Sequence, residues 1–519
     1  MTVPDDTSVT TAPEAPAAEG APADDAVLDA ERRHRAAVVR QLAPPMPRDG
    51  LLMWSFALVI AGAAALVRMI NLSWPDRLVF DEAYYVPEAE QMLRYGFEEN
   101  RAYYFIVHPP FGKWNLAIGE WLFGYTPLGW RIAGVTVGVG AVLLLMFVVR
   151  RLTRSSFIGL AAGILLAADG FSFAISRTGI LDIYLQFWVL LGFVFLVLDR
   201  DRFRAQLAEA YAAGTESWGR WGPRLGFRWW RLAAGITFGL ACSIKWSGLY
   251  FLAIFAILCV WWDVGAYRLV GLRAPYLVAL RRSLPTAFWD LGIVPILTYL
   301  VSWIGWYAGE TAQGRHWAEG RDTAWPWIPE AIRALWHMHV EWWGFHTTLT
   351  SPHPWDSHPW SWIVGGRPVL MVNDQYVEAG QNLTRTITMI GTPALWWAFA
   401  PALLWAIWRL ISRRDWVAGA AIAGIIAGWV VWFIDTERTM FMFYMAPVVP
   451  FFIIAVCLAL QDVLGKPTDS RERRQIGAGA VAIYLALVIV LFGFFLPVLN
   501  GTPLTEAERA LRMWLTTWN

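Results

Sequence analysis

Eleven apolar runs dominate this sequence and leave little freedom in how it can fold. They lie near 51–72, 128–149, 155–171, 180–198, 232–246, 248–265, 287–307, 387–408, 416–434, 442–461 and 477–498. About 20 apolar residues cross the hydrocarbon core as a helix, which alone satisfies every backbone polar group within one segment. The runs 155–171 and 232–246 are the shortest. Hydrophobic types make up 57% of the 519 residues and charged types 16%, well below the roughly 25% charged of a soluble domain. This excludes an ordinary soluble enzyme, and the net charge of +1 provides no field for nucleic acid. The expected fold class is an all-α polytopic membrane protein with about eleven transmembrane helices.

Charge orients the bundle. Residues 1–50 read as a disordered cytoplasmic tail: Ala, Pro, Asp, Glu and Thr up to Asp29, then Arg32, Arg33, Arg35, Arg40 and Arg48 before the first span. Up to Asp29 there is little to bury, and no cleavable signal peptide is evident. With the N-terminus inside, the inner segments carry 26 basic residues and the outer ones 14. That bias fits the positive-inside rule with the C-terminal tail, 501–519, outside. The transmembrane domain then covers 51–500, with long extracytoplasmic loops at 73–127 and 309–386, natural places for a site.

The first loop carries Phe80-Asp81-Glu82 directly after a span and His108-Pro109-Pro110-Phe111-Gly112-Lys113 further on. A carboxylate at a membrane boundary can be pushed towards neutrality and serve as a general base. Taken alone, the pair is equally two solvated acids at a helix start, and the His-Pro-Pro segment a rigid turn. Arg131, Arg177, Asp182, Lys245 and Arg438 gather at the same face in this topology. Singly, each reads as a snorkelling residue. Lys245 stands apart, being one of three lysines and lying in nearly continuous apolar sequence. Several cations with a few acids at one membrane face fit an anionic lipid-borne ligand such as a phosphate.

The second loop holds six of the eight histidines and nine of the 34 tryptophans in 78 residues. Its densest part includes His353, Trp355, His358 and Trp360, expected to face a sugar or an acceptor chain. Zinc would need a fuller ligand set than His337, His339, His353 and His358 supply in this pattern, so no metal or other cofactor is assigned. Cys242, Cys259 and Cys457 lie in apolar runs and show neither metal spacing nor disulfide pairing.

Phe80-Asp81-Glu82, His108 to Lys113, Trp130-Arg131, Arg177 with Leu181-Asp182, and Lys245-Trp246-Ser247-Gly248-Leu249, in this order, resemble the protein O-mannosyltransferases, a family with the C-type glycosyltransferase fold. The resemblance covers about 51–500, and Tyr444 with Pro447 is similar to the actinobacterial branch. It implies a polyprenyl-phosphate-mannose donor and transfer of mannose to Ser or Thr of secreted proteins outside the cell membrane. By match, Asp81 is the general base and Glu82 positions acceptor or base. Arg131 assists the donor phosphate, together with Lys245 and Arg438. His108, Lys113, Arg177 and Asp182 complete the expected donor site. Eukaryotic members carry a β-trefoil insert for which the 78-residue loop is too short. Two rivals remain open at this point: transfer of another sugar to a lipid or glycan, and transport of a lipid-linked sugar.

Overall fold

A computed structural model describes Thr2 and residues 21–99, 107–216 and 218–519 of the chain. In chain order its main helices are α1 (Ala21–Leu42), α2 (Gly50–Met69), α3 (Glu82–Tyr95), α4 (Phe111–Phe123), α5 (Pro127–Thr153), α6 (Ser156–Ala167), α7 (Gly170–Ile175), α8 (Leu181–Ala212), α9 (Trp229–Cys242) and α10 (Gly248–Leu269). Then follow α11 (Leu284–Ser302), α12 (Glu330–Thr348), α13 (Pro393–Arg413), α14 (Trp416–Gly428), α15 (Val449–Leu464) and α16 (Arg471–Asn500).

Each of the eleven apolar runs holds a helix, although 387–408 opens in a strand and loop and 442–461 in a 3-10 turn. Among the described residues, seven helices, α2, α5, α8, α10, α11, α13 and α16, are long and apolar enough to cross a membrane. The others are shorter: α9 has 14 residues, and α6, α14 and α15 have 12, 13 and 16. Burial explains why they can be short. Val449 to Leu458 in α15 is buried without a break, so that helix is walled by protein and need not match the lipid in length. By contrast, α2 has one buried stripe: Met53, Ala57, Ala61, Ala64 and Arg68. Its opposite face exposes Leu51, Leu58, Val59 and Leu66. Small residues on the stripe let the helix lie close against its neighbours, as in membrane bundles generally.

The expected disordered tail is in part ordered. Residues 1 and 3–20 lie outside the described residues, but α1 follows, and its Val38 and Leu42 are buried beside Phe203 and Leu207 of α8. The apolar side chains at the end of α1 outweigh the acidic composition that precedes them. The first long loop contains two helices: α3 packs on α4, and α4 packs on α5. The second long loop departs from an all-α description. It contains α12 and an antiparallel hairpin, β1 (Leu370–Glu378) and β2 (Gln381–Thr388). A third short strand, β3 (Leu504–Thr505), comes from the C-terminal tail and pairs with β2, giving the order β1-β2-β3.

The tail is fastened there. Trp518 is 2% exposed in a cluster with Phe173, Ile390 and Phe495, and its indole N–H donates to the Gly365 carbonyl at 2.8 Å. Removing so large a buried aromatic typically costs about 3–5 kcal/mol. Trp518→Ala is therefore expected to lower the thermal unfolding temperature of the detergent-solubilised protein, and an unchanged melting curve would contradict this anchoring.

Candidate active site

The site grows from the junction of α2, α3 and α5. Glu82, the first residue of α3, is completely buried, and Arg131, in the first turns of α5, is 1% exposed. They meet fork to fork: Arg131 Nε donates to Glu82 Oε1 and Nη2 to Oε2, each at 3.0 Å. The remaining Arg131 hydrogens go to the carbonyls of Leu72, Pro75 and Arg77 at 3.0–3.2 Å. Glu82 also accepts from the backbone N–H of Val79 at 3.0 Å and of Gly179 at 2.9 Å. All five guanidinium donors are thus committed. The resemblance assigns Arg131 to the donor phosphate and Glu82 to positioning acceptor or base; the geometry uses both to hold the loop 72–82 against α5 and the turn before α8.

That clamp presents Asp81, which caps α3 without bonding the helix's first N–H groups. Its one hydrogen-bonded side-chain neighbour among the described residues is Tyr85, one turn on, whose hydroxyl donates to Oδ2 at 3.4 Å. Burial pushes the Asp81 carboxyl up to about 6; Lys245 opposes the rise and Asp182 adds to it. Phe80, just before it, has φ 51, a left-handed conformation that costs a non-glycine residue about 1–2 kcal/mol. Edge-to-face contacts hold it there, with His353 at 5.5 Å, Phe441 at 5.6 Å and Phe443 at 5.9 Å. Such pairs contribute about 0.5–1.5 kcal/mol each, enough together to offset the strain.

A cavity of about 350 Å³ opens between α8, α10, α12 and the segment 427–447; Asp81 does not line it, but lies within the electrostatic reach of Lys245 and Asp182, which do. One wall is polar. Lys245 Nζ lies 2.6 Å from Asp182 Oδ2 and faces the rings of Phe443 and Tyr444 at 5.5 and 5.8 Å. Arg438 donates from Nε to the His346 carbonyl at 2.8 Å and from Nη1 to the Tyr444 hydroxyl at 3.3 Å. His108 stacks on His346 at 5.5 Å. Burial lowers both imidazoles, His346 to about 4 and His108 well below its usual value, so both are neutral at pH 7. The opposite wall is apolar, with Leu185, Phe251, Val431 and Trp432. Cations at one end and an apolar wall at the other match a phosphate that carries a lipid chain.

The structure therefore brings together His108, Asp182, Lys245 and Arg438, with Asp81 alongside, and leaves other expected residues elsewhere. Lys113 is fully buried between Glu88, at 3.0 Å, and Glu98, and its ammonium donates to the His108 carbonyl at 2.9 Å. It braces His108 and does not line this cavity. Arg177 donates to the Arg68 carbonyl and stacks over Phe173 at 5.0 Å, inside the bundle. Trp355 lies against the main core. His358 and Trp360 are exposed and stack on each other at 4.5 Å; neither lines the cavity. His353 acts through Phe80. Among the described residues no group of three or more His, Cys, Asp and Glu converges as a metal site, and His337 and His339 are taken up by Trp317 and Tyr299. His346, Tyr85 and Trp432 are site residues that sequence reasoning missed. Nothing in their spacing separates them from neighbouring aromatics.

Comparison with known proteins shows the family. Residues 58–274 match the family described as dolichyl-phosphate-mannose-protein mannosyltransferase. Residues 331–518 match the C-terminal four-helix region of protein O-mannosyltransferases. The polyprenol-phosphate-mannose--protein mannosyltransferase of Mycolicibacterium smegmatis strain MKD8 is 41% identical over 486 residues, 91% of this chain and 94% of that one. The chain belongs to the protein O-mannosyltransferase family. The Corynebacterium glutamicum member is 35% identical, covering 92% of this chain and 96% of its own. In fold, the chain is similar to the Saccharomyces cerevisiae Pmt1-Pmt2 complex solved with its sugar donor, at a TM-score of 0.72 and 16% identity over 93% of this chain and 94% of that one. ArnT from Cupriavidus metallidurans follows at a TM-score of 0.50 and 15% identity, over 86% and 76%.

Breaking a buried ion pair by removing one partner costs about 3–5 kcal/mol. Arg131→Ala and Glu82→Ala should each lower the unfolding temperature markedly, and the double variant less than additively. Full thermal stability of Arg131→Ala with only donor use impaired would contradict the clamp.

Proposed function

We propose that the protein transfers mannose from polyprenyl-phosphate-mannose to Ser or Thr hydroxyls of polypeptides at the extracytoplasmic face of the cell membrane. The observation that carries this reading is the division of labour among the charges at the cavity. Asp182 is neutralised by Lys245 and Glu82 by Arg131, while Asp81 has no cation bonded to it and holds its proton to about 6. Asp435 lies at the exposed mouth. The names of the mycobacterial and corynebacterial relatives, which specify this donor and a protein acceptor, support the same reading.

In this mechanism Asp81 takes the proton of the acceptor hydroxyl as its oxygen attacks the anomeric carbon. The bond from that carbon to the phosphate oxygen breaks, and polyprenyl phosphate leaves with the electron pair. Lys245 and Arg438 balance the charge that builds on the phosphate. The apolar wall receives the first part of the lipid chain, and Trp432, Tyr444 and the neutral His108–His346 stack flank the sugar. A single base and a single displacement invert the anomeric configuration.

Asp81→Asn should cut transfer by about 10²-fold or more while donor binding persists. Its carboxyl is easier to protonate folded than unfolded, so its contribution to stability is present at low pH and lost as pH rises through about 6. The Asn variant is therefore expected to melt no lower than the wild type at pH 7. Normal transfer by Asp81→Asn in a radiolabelled-mannose assay would refute the proposal. The wild-type rate should fall on the acid side with a midpoint near 6, because the base must be ionised; a rate flat through that region would remove Asp81 from the role. Lys245→Gln should raise the KM for the donor and leave that for the acceptor unchanged.

A further inference from the structure

We propose that the open edge of β1 binds an extended segment of the acceptor polypeptide by strand addition and so leads its Ser or Thr to Asp81. This rests on reading the cavity as a site of transfer to polypeptides.

The hairpin turn decides which backbone groups are free. Ala379 has φ 50 and Gly380 φ 77, the two left-handed residues of a two-residue turn of type I′. Such a turn closes on a hydrogen-bonded pair, here Glu378 with Gln381. Pairs then alternate along an antiparallel ladder. Glu378, Tyr376 and Asp374 direct their N–H and C=O groups at β2, whereas Val377, Gln375 and Asn373 direct theirs away from it. Those three residues are exposed, Val377 by 69%, and among the described residues no backbone bond reaches them.

A free strand edge is a surface that proteins ordinarily cover, bend or guard with lysine or proline. On the far side of β2, Leu383 and Thr384 pair with the chain's own β3. On β1 the chain places no proline and no lysine, and the register shifts only at Leu370/Val372, away from the exposed stretch. The open edge thus displays an alternating row of donors and acceptors, the pattern that an extended peptide main chain complements.

The hairpin is also bolted to the loop that carries the base. Arg77 grips Asp374 of β1 through both nitrogens, at 3.0 and 2.7 Å. Arg385 of β2 stacks on Trp74 at 3.9 Å, and the Arg77 carbonyl is one of those that Arg131 holds. Asp81 follows Arg77 by four residues, a reach of at most about 14 Å. A strand laid on β1 is therefore held by the same frame that orients the carboxylate, and main-chain pairing lets the hydroxyl vary in its neighbours.

The test uses full-length protein in proteoliposomes, labelled polyprenyl-phosphate-mannose and Thr-containing peptides. Peptides N-methylated at single positions are compared first, on the wild-type enzyme. The proposal expects a two-residue alternation: methylation on one phase lowers kcat/KM by about tenfold per position, and the other phase is tolerated. Gln375→Pro removes an outward N–H and should raise the peptide KM by about tenfold with the donor KM unmoved. Sensitivity without alternation, or tolerance everywhere, overturns strand addition while transfer itself stands. An unchanged peptide KM in Gln375→Pro overturns it too, and if that variant instead dissociates a dimer, the edge is a contact between copies. A wild type that binds the donor yet glycosylates no peptide sinks the functional reading and this inference with it.

Discussion

A carboxylate and a guanidinium shut away from solvent, Glu82 and Arg131, hold the functional end of this protein in register. As a source of stability such a pair is poor, because desolvating two charges offsets most of their attraction and an apolar pair of similar volume would hold the helices as well. What it supplies is direction. Five donors on Arg131 and four acceptor contacts on Glu82 fix the start of α3, the start of α5, the loop 72–82 and the turn at Gly179 relative to one another. Asp81 and Phe80 are carried in that frame, and the hairpin of the second loop is attached to it through Arg77.

The remaining charges divide into committed and available ones. Arg177 and Lys113 are held inside the fold, one by a bond to a backbone carbonyl that leaves its Nε unbonded among the described residues and the other between two glutamates. Lys245 and Arg438 each keep donors unspent: Arg438 bonds the His346 carbonyl, His346 Nδ1 and the Tyr444 hydroxyl and, among the described residues, has two N–H groups left. Lys245 retains ammonium hydrogens beyond its bond to Asp182, and Arg438 retains a face towards the cavity. A preorganised cation with spare donors is what an incoming phosphate needs, since little has to move when it binds. Asp81 is the complementary case: an acid left without a cationic partner, in surroundings that favour its proton. Both conditions follow from which neighbour each charge lacks.

The membrane bundle was legible because hydropathy dictates it, and each of the eleven apolar runs holds a helix. Their lengths were less so: α15 is walled by protein, and hydropathy does not distinguish a helix that faces lipid from one that faces other helices. Adjacency marked Asp81 and Glu82 as a pair, but only the backbone at the start of α3 turns one into the buried ion pair and leaves the other outside it. Lys245 stood out as a lone lysine in apolar sequence. Arg131 stood out equally, and its commitment to Glu82 is a tertiary fact with no local signature. His346 was invisible among the histidines of α12, since its partner His108 lies in the other loop. The β1–β2 hairpin did have a local signal, Ala379-Gly380 between two alternating runs, which the aromatic density of that loop obscured.

The most direct test of the account is a structure of this protein with polyprenyl-phosphate-mannose bound. The account predicts phosphate oxygens within hydrogen-bond distance of Lys245 Nζ and the Arg438 guanidinium, the anomeric carbon turned towards the Asp81 carboxylate, and Arg131 still closed on Glu82. A phosphate seated on Arg131 with the Glu82 pair opened, or a sugar turned away from Asp81, would contradict it.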